Sequence, residues 1–294
     1  MKKKTLITIA IIIAIAFGAK VTRTGPPEPQ VGTTGGTPHN SEVEAPSAPT
    51  EATAPAATAA DAAADITCLN LDSAALMLDQ PPTQLLRRKS YTVSYNAETR
   101  QANWVAWRLT AEHTRGDVAR PQGAFHEDAE VPRPRAHFED YRDSPMSRGH
   151  LCPAGDNKWD AEAMYETFLM TNVSPQHRSF NAGEWNEIEK LCRTWARRYG
   201  AVAIVTGPLF ANEPQRIGRA RVAVPSAFFK AVVRGGSSPA AIAFVLANDD
   251  SNRPWRSCAM SVDELERRHH LDLFPTLPDT LEQRIEATHA VSQW

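Results

Sequence analysis

The architecture of this chain is decided by three neighbouring segments, which are SRGHLCPAGD at 147–156, FLMTNVSPQ at 168–176 and FNAGEWNEIEKLCR at 180–193. In the third segment, apolar side chains recur at Trp185, Ile188 and Cys192, and again at Trp195, with charged residues between them. This spacing of three to four residues is typical of a helix that buries one face. The segment therefore predicts an amphipathic helix.

The start of that helix is predicted from two polar residues. Asn181 precedes the apolar pattern and Glu184 follows three residues later, as in a capped helix start. We expect Asn181 at a helix N-terminus, where free N–H groups and the helix dipole favour anions such as phosphate. FLMTNVS, bounded by Pro175, predicts a brief strand, and HLCPA follows an extended piece ending at Gly149. The local plan is strand, short helix, strand, helix, with His150 on one strand.

Further strands are predicted on both sides of this centre. LLRRKSYTVSYNAETRQANWVAWRLT at 85–110 alternates as a strand pair with a turn at Asn-Ala-Glu-Thr, and its Trp104, Val105 and Trp107 are expected in the core. Three more apolar runs predict central strands, namely 200–210, 222–233 and 239–249. SVDELERR predicts a helix capped by Ser261. Strands mixed with helices in this way indicate an α+β domain around a mostly antiparallel sheet.

The first 66 residues have a different composition. Residues 1–20 begin with a basic stretch and continue with an apolar run, which indicates either a secretory signal peptide or an N-terminal anchor through residues 5–19. Residues 21–66 are rich in Pro, Ala and Thr and contain no aromatic residue, so we expect a disordered linker. The folded domain is expected at 67–294. Export is expected in either case, with the domain periplasmic, secreted or tethered to a membrane.

Charge and motif content exclude several classes of protein. The formal net charge of −2 excludes binding to polyanions through bulk positive charge, so a nucleic-acid contact requires a local basic patch. No His/Glu pair has zincin spacing and no G-x-S-x-G elbow is present. The four cysteines lack the paired short spacing of a zinc site; they allow three complete disulfide pairings or can be core residues, and they are Cys68, Cys152, Cys192 and Cys258.

A polar stretch at 111–146 is long for a loop in a compact domain, and such loops are usually functional or mobile. Its arginines can either cradle a phosphodiester backbone or face solvent, and they are Arg115, Arg120, Arg133, Arg135 and Arg142.

The order R-G-H-x-x-P-A-x-D, T-N-x-x-P-Q and F-N-x-x-x-W, followed by an acid and an arginine, resembles the DNA/RNA non-specific endonuclease family. This is the ββα-metal (His-Me) finger group that includes mitochondrial endonuclease G. The similarity extends from about Leu85 to about Pro278, with NWVAWRLT, VTGPLF and VPSAFFKAVV as further landmarks. The resemblance implies an α+β fold with a ββα-metal finger active site, and a Mg²⁺-dependent nuclease that acts on DNA and RNA.

Two residues are central to the implied chemistry. His150 offers an imidazole that can deprotonate water near neutral pH, although a histidine beside a glycine turn can also be purely structural. In the resembling family the residue at Asn181 is the sole direct protein ligand of the cation, and a neutral amide oxygen suits Mg²⁺, Mn²⁺ or another hard divalent ion. The simpler interpretation of Asn181 is a helix cap, and both roles are compatible.

Five further residues complete the implied catalytic set. The family acid at Glu189 orients water of the cation's hydration shell, and Arg193 stabilises phosphate charge; alternatively the two are only a surface salt pair. Arg120 corresponds in position to a family arginine that touches the scissile phosphate. Arg148 belongs to the Arg-Gly-His turn, and Asn172 is expected to fix the geometry between the histidine and the cation.

One departure from the family pattern bears on function. Ser147 stands where the family usually has an aspartate before Arg-Gly-His, which predicts weaker metal affinity or altered metal preference. The leading hypothesis is an endonuclease of low sequence specificity that leaves 5′-phosphates. The alternative is a non-catalytic nucleic-acid-binding protein on a decayed nuclease scaffold. The sequence leaves the oligomeric state open.

Overall fold

The computed structural model describes residues 66, 69–77 and 84–294. The strands are β1 (Ala75–Met77), β2 (Gln84–Arg87), β3 (Tyr91–Asn96), β4 (Gln101–Thr110), β5 (Met146–His150), β6 (Val173–His177), β7 (Ala201–Leu209), β8 (Arg216–Ile217), β9 (Val222–Ala223), β10 (Ala227–Arg234), β11 (Ala240–Ala247), β12 (Ala259–Met260) and β13 (Leu271–Leu273). The α-helices are α1 (Ala161–Glu166), α2 (Arg178–Ala182), α3 (Glu184–Tyr199), α4 (Val262–His269) and α5 (Asp279–Glu286).

Seven of these strands form one sheet in the order β12-β11-β10-β7-β4-β3-β2. Every neighbouring pair in it is antiparallel. The strand pair predicted from residues 85–110 is the β3–β4 hairpin, whose turn occupies residues 97–100, and β2 adds a third strand at the edge. The expectation of an α+β domain with a mostly antiparallel sheet is confirmed.

Both faces of the sheet are buried because adjacent residues of a strand point to opposite sides. Phe228 packs in a core with Trp107 and the apolar face of α3, whereas Phe229, its neighbour on β10, packs in a second core with Trp104 and helices α4 and α5. The domain is therefore built in three layers, with α3 on one side of the sheet and α4 and α5 on the other. The core positions predicted for Trp104, Val105 and Trp107 are confirmed.

A separate two-stranded hairpin, β5–β6, carries the Arg-Gly-His motif. Gly149 is required there because a Cβ atom at this position would overlap the side chain of Gln176 on the partner strand. The predicted first strand is confirmed and extends to His150. The predicted second strand begins later than expected, since residues 170–172 form a 3₁₀ turn and Pro175 lies inside β6.

The predicted cap of the site helix is wrong. Asn181 is the fourth of five residues in the short helix α2, and the long helix α3 begins only after Gly183. Gly183 breaks the helix at ψ −122°, and a Cβ atom there would overlap Asn252 and the carbonyl of Ser179. The carboxylate of Glu184 accepts a hydrogen bond from Trp255 N instead of capping α3. Asn181 and the site acid predicted further along therefore lie on two helices, not one.

Several predictions fall on residues outside those described. They include the signal or anchor at 1–20, the linker up to residue 65, and Cys68. Ile66, the last residue of the predicted linker, is buried and packs in the α4–α5 core. The three described cysteines are buried and free. In the described ranges, no helix has the length and apolar character needed to span a membrane.

Candidate active site

A cavity of about 920 Å³ opens beside the β5–β6 hairpin. Its wall is built by the long loop before β5, by β5 itself, and by helices α2 and α3. Six of the residues predicted from the sequence line it, namely Arg120, Arg148, His150, Asn181, Glu189 and Arg193. The fold thus brings together residues that are separated by up to 73 positions in the chain. The catalytic roles of these residues stay predictions, but the six side chains do line one cavity.

His150 ends strand β5 and presents a half-buried imidazole to the cavity. Its ring lies 4.9 Å from that of Phe168, edge-on, and 5.4 Å from that of Phe125. The Nε2 atom is buried and has no hydrogen-bond partner in the described part of the chain. Burial, followed by the positive charge of Arg120, lowers the pKa of His150 to about 3. The imidazole is therefore neutral at pH 7, which is the form that can accept a proton, and the low pKa makes it a weaker base than a free imidazole.

Asn172 lies behind this wall and does not face the cavity. Its Oδ1 accepts a hydrogen bond from Cys152 N at 2.8 Å, and its Nδ2 donates to the carbonyls of Cys152 and Thr167, both at 2.9 Å. The side chain is fully buried. These bonds fix the backbone that follows His150, so the structure supports a positioning contribution from Asn172 and gives it no direct access to a substrate.

Arg193 is held in place by an aspartate of the Arg-Gly-His motif segment. Its Nη1 donates to Asp156 Oδ1 at 2.8 Å, while Trp107 Nε1 donates to Asp156 Oδ2 at 3.1 Å. The Asp156 side chain is 1% exposed and that of Arg193 is 17% exposed. The predicted alternative, a surface pair between Glu189 and Arg193, is thus replaced by a buried pair with Asp156. Asp156 lies 37 positions before Arg193 in the chain, so no local pattern in the sequence indicated this partner.

Glu189 lines the cavity from helix α3 and is half-buried. Burial raises the pKa of its carboxyl to about 7; Asp156 adds to this rise, whereas Lys230 and Arg193 oppose it. The carboxyl is consequently close to the boundary between its neutral and ionised forms at neutral pH. A group in this state can gain or lose a proton during catalysis, or respond to a bound cation.

Lys230 is a buried charge that the sequence analysis missed. It lies on the central strand β10 with no exposed surface, and its Nζ has no hydrogen-bond partner among the described residues. The ammonium lies 4.4 Å from the ring centroid of Trp185 and 5.1 Å from that of Trp107, where cation–π attraction replaces part of its lost hydration. The one feature of the sequence that indicates a buried lysine here is its position in the otherwise apolar strand FFKAVV.

Positive charge is concentrated around the cavity despite the acidic balance of the whole chain. Five arginines line it against two glutamates, and the two that the sequence analysis did not assign to the site are Arg142 and Arg178. Arg120 and Arg148 both stack near Phe125, with guanidinium carbons 5.5 and 4.8 Å from its ring centroid. The other loop arginines do not line the cavity, and two of them pair with Glu127, namely Arg133 and Arg135. The arginines therefore make the cavity wall a local basic patch, which can attract a polyanion.

Oxygen donors for a hard cation are present on the same wall. Asn181 contributes a side-chain amide and Glu189 a carboxylate, which are the ligand types that Mg²⁺ and Ca²⁺ prefer. Ser147 also lines the cavity, and its Oγ donates to the carbonyl of Gln176 at 2.8 Å. The donor set fits a hydrated divalent cation.

Comparisons with known proteins identify the family that this chain resembles. Residues 72–280 match the family described as DNA/RNA non-specific endonuclease. Mitochondrial endonuclease G of Homo sapiens is 35% identical over 209 residues, covering 66% of this chain and 70% of that protein. Nuclease C1 of Cunninghamella echinulata var. echinulata is 34% identical over 209 residues, covering 65% of this chain and 83% of that protein. A chain of the solved EndoG/EndoGI complex superposes with a TM-score of 0.62 at 27% identity, covering 67% of this chain and 89% of its own.

The sequence match covers more than half of the chain and includes the β5–β6 hairpin, α2 and α3, which build the cavity. The resemblance inferred from the motifs is confirmed. On these grounds the chain belongs to the DNA/RNA non-specific endonuclease family.

Proposed function

We propose that this protein is a divalent-cation-dependent endonuclease that hydrolyses phosphodiester bonds of DNA and RNA with little sequence preference. The observation that carries the proposal is that the imidazole of His150 shares a cavity with five arginines, Asn181 and Glu189. A base, a source of positive charge and oxygen ligands for a cation are the three requirements of this reaction, and they share one wall.

His150 acts as the general base in this proposal. With its buried Nε2 protonated, the neutral ring presents the lone pair of Nδ1, which takes a proton from the attacking water. The water oxygen forms a bond to phosphorus as the bond from phosphorus to the 3′ oxygen breaks. The 3′ oxygen takes a proton from solvent as it leaves, and the phosphate stays on the 5′ oxygen of the next nucleotide, so the products carry 5′-phosphates.

The arginines hold the phosphate and stabilise the charge that develops on it. Arg193 is kept in a fixed orientation by Asp156, so little reorganisation is needed as the transition state forms. Arg120 and Arg148 lie over Phe125, whose ring is next to that of His150, and can contact the phosphates near the scissile bond. Because such contacts carry no base information, low sequence specificity follows from the site's composition.

Asn181 would hold the cation, with Glu189 orienting its hydration shell. A bound Mg²⁺ would neutralise charge on the phosphate and on the departing oxygen, and Mn²⁺ or another divalent ion can substitute for it. Ser147 offers a hydroxyl where a carboxylate would strengthen the hold on the cation, so we expect a comparatively high Mg²⁺ requirement.

The proposal includes export of the domain, supported by the basic and apolar residues 1–20. Expression in bacteria followed by separation of cytoplasm, periplasm, membrane and medium tests it. Recovery of the mature chain in the cytoplasmic fraction alone would contradict export.

Plasmid DNA and a structured RNA, each incubated with Mg²⁺ or with EDTA, test the catalytic proposal. We expect cleavage of both with Mg²⁺, no cleavage with EDTA, and fragments that polynucleotide kinase labels only after phosphatase treatment. Asn181→Ala should require far more Mg²⁺, whereas Asn212→Ala, at an exposed asparagine outside the cavity, should behave as the wild type. Nucleic-acid binding without cleavage under every cation would instead support the non-catalytic alternative.

A further inference from the structure

A second group of carboxylates lies on the α4–α5 side of the sheet, away from the helix α3 that builds the active site. Asp263 and Glu266 are three residues apart on α4 and so share one face of that helix. Glu286 is the last residue of α5. One side-chain oxygen from each of the three lies within 4.8 Å of the others. Two successive helices thus direct three acids to one point.

Glu286 distinguishes this group from an ordinary acidic surface. It is 1% exposed, and its Oε1 is buried with no hydrogen-bond partner in the described part of the chain. It also lies at the C-terminal end of its helix, where the helix dipole disfavours negative charge. Glu282, one turn earlier, and Asp272 add further negative charge nearby.

In the part of the chain that the structure describes, no cationic side chain pairs with these acids. Among the described residues, none of Asp263, Glu266 and Glu286 takes part in a salt bridge. A buried carboxylate without a partner is costly, so it must take up a proton or a cation.

We propose that Asp263, Glu266 and Glu286 form a binding site for a divalent cation, with Ca²⁺ preferred, that ties α4 to α5. Carboxylate oxygens are the ligands that Ca²⁺ takes, at about 2.3–2.6 Å, so three oxygens that all lie within 4.8 Å of one another can share one such ion. Mg²⁺ usually keeps several waters and binds through one or two carboxylates, so a set of three carboxylates favours Ca²⁺. One oxygen of Glu266 is already fixed, since its Oε1 accepts from Leu273 N at 2.6 Å.

The site is structural in this proposal and independent of the nuclease reaction. Its test is therefore thermal unfolding of the full chain in EDTA, in CaCl₂ and in MgCl₂ at matched ionic strength. The Asn181→Ala variant is measured in parallel, because it lacks the predicted cation ligand of the active site. We expect Ca²⁺ at about 100 times its Kd to raise the Tm by about 5 °C in both proteins.

Glu286→Gln keeps the shape of the side chain and removes its charge. We expect this variant to be more stable than the wild type in EDTA and to lose the Ca²⁺-dependent rise in Tm. Glu264→Gln is the matched control, since Glu264 lies on the same helix but pairs with Arg268 and is not part of the group. It should respond to Ca²⁺ as the wild type does.

Asp263→Asn provides a second route if Glu286→Gln does not fold, because Asp263 is exposed and its replacement leaves the core intact. We expect its calorimetric Kd for Ca²⁺ to be at least about 10-fold weaker. A wild-type Tm that does not respond to Ca²⁺ would overturn the proposal, as would a full response in Glu286→Gln. An equal response to Mg²⁺ would overturn the preference for Ca²⁺.

Discussion

The buried pair between Asp156 and Arg193 makes a prediction that joins stability to catalysis. In Asp156→Asn, one carboxamide must replace a carboxylate that accepts from both Arg193 Nη1 and Trp107 Nε1. Its single oxygen satisfies one of these donors, and its NH₂ group faces the other. The Arg193 charge also loses its counter-charge in a place where the aspartate is 1% exposed.

The expected magnitude follows from these two losses. Removing one partner of a buried ion pair costs about 3–5 kcal/mol, and leaving a buried donor unsatisfied costs about 1–3 kcal/mol. Because asparagine retains one of the two hydrogen bonds, we expect the free energy of unfolding to fall by about 3 kcal/mol. Arg193 also loses its fixed orientation, so kcat/KM should fall by about 10- to 100-fold.

Urea unfolding followed by fluorescence and initial rates on one DNA substrate measure the two effects. Asp160→Asn is the matched control, since Asp160 caps helix α1 and pairs with Lys89 near the surface, and asparagine is an equally good cap. Its stability and rate should stay close to wild type. If Asp156→Asn unfolds at the same urea concentration as the wild type, the pair does not stabilise the fold as argued.

Three further predictions concern the site and the boundary of the domain. Because the pKa of Glu189 is raised to about 7, activity that needs its carboxylate should fall as the pH falls through about 7. Lys230→Met removes a positive charge that lowers this pKa, so the acid limb of the pH–rate profile should move to higher pH. An unmoved limb would show that Lys230 does not influence the group that titrates there. Ser147→Asp should lower the Mg²⁺ concentration needed for half-maximal activity, because a carboxylate on the cavity wall attracts the cation. Identical Mg²⁺ titration curves for the two proteins would mean that Ser147 lies too far from the cation to affect its binding. A chain starting near Ala64 keeps the buried Ile66 and should fold and cut as the full chain does, as circular dichroism and a cleavage assay can show; loss of folding would mean that the domain begins earlier.

The sequence was sufficient for those parts of the fold that local patterns encode. Alternation in residues 101–110 and the apolar runs of β7, β10 and β11 predicted the central sheet, and Ser261 predicted the cap of α4, which accepts from Glu264 N as expected. The motifs also identified six residues that line the cavity, since the order of short segments along the chain is specific to the family.

Other features depend on contacts between distant segments and could not be read locally. The break at Gly183 is imposed by close packing against Asn252, 69 positions later, so a local capping pattern at Asn181 was misleading. The same reason explains why Arg142 and Arg178 were not assigned to the site: an arginine in a loop or short helix faces the cavity only through tertiary placement. Lys230 was missed because a single charge in a strand usually indicates an exposed position.

The central claim is that His150 deprotonates the attacking water, and single-turnover cleavage by His150→Ala tests it most directly. Binding of an uncleaved oligonucleotide and the circular dichroism spectrum should match the wild type, because the phosphate contacts and the core are unchanged. His289→Ala, at an exposed histidine, controls for the substitution and the preparation. The account predicts a rate about 10²- to 10⁴-fold lower for His150→Ala with binding intact. A folded His150→Ala protein that cleaves at nearly the wild-type rate would contradict it.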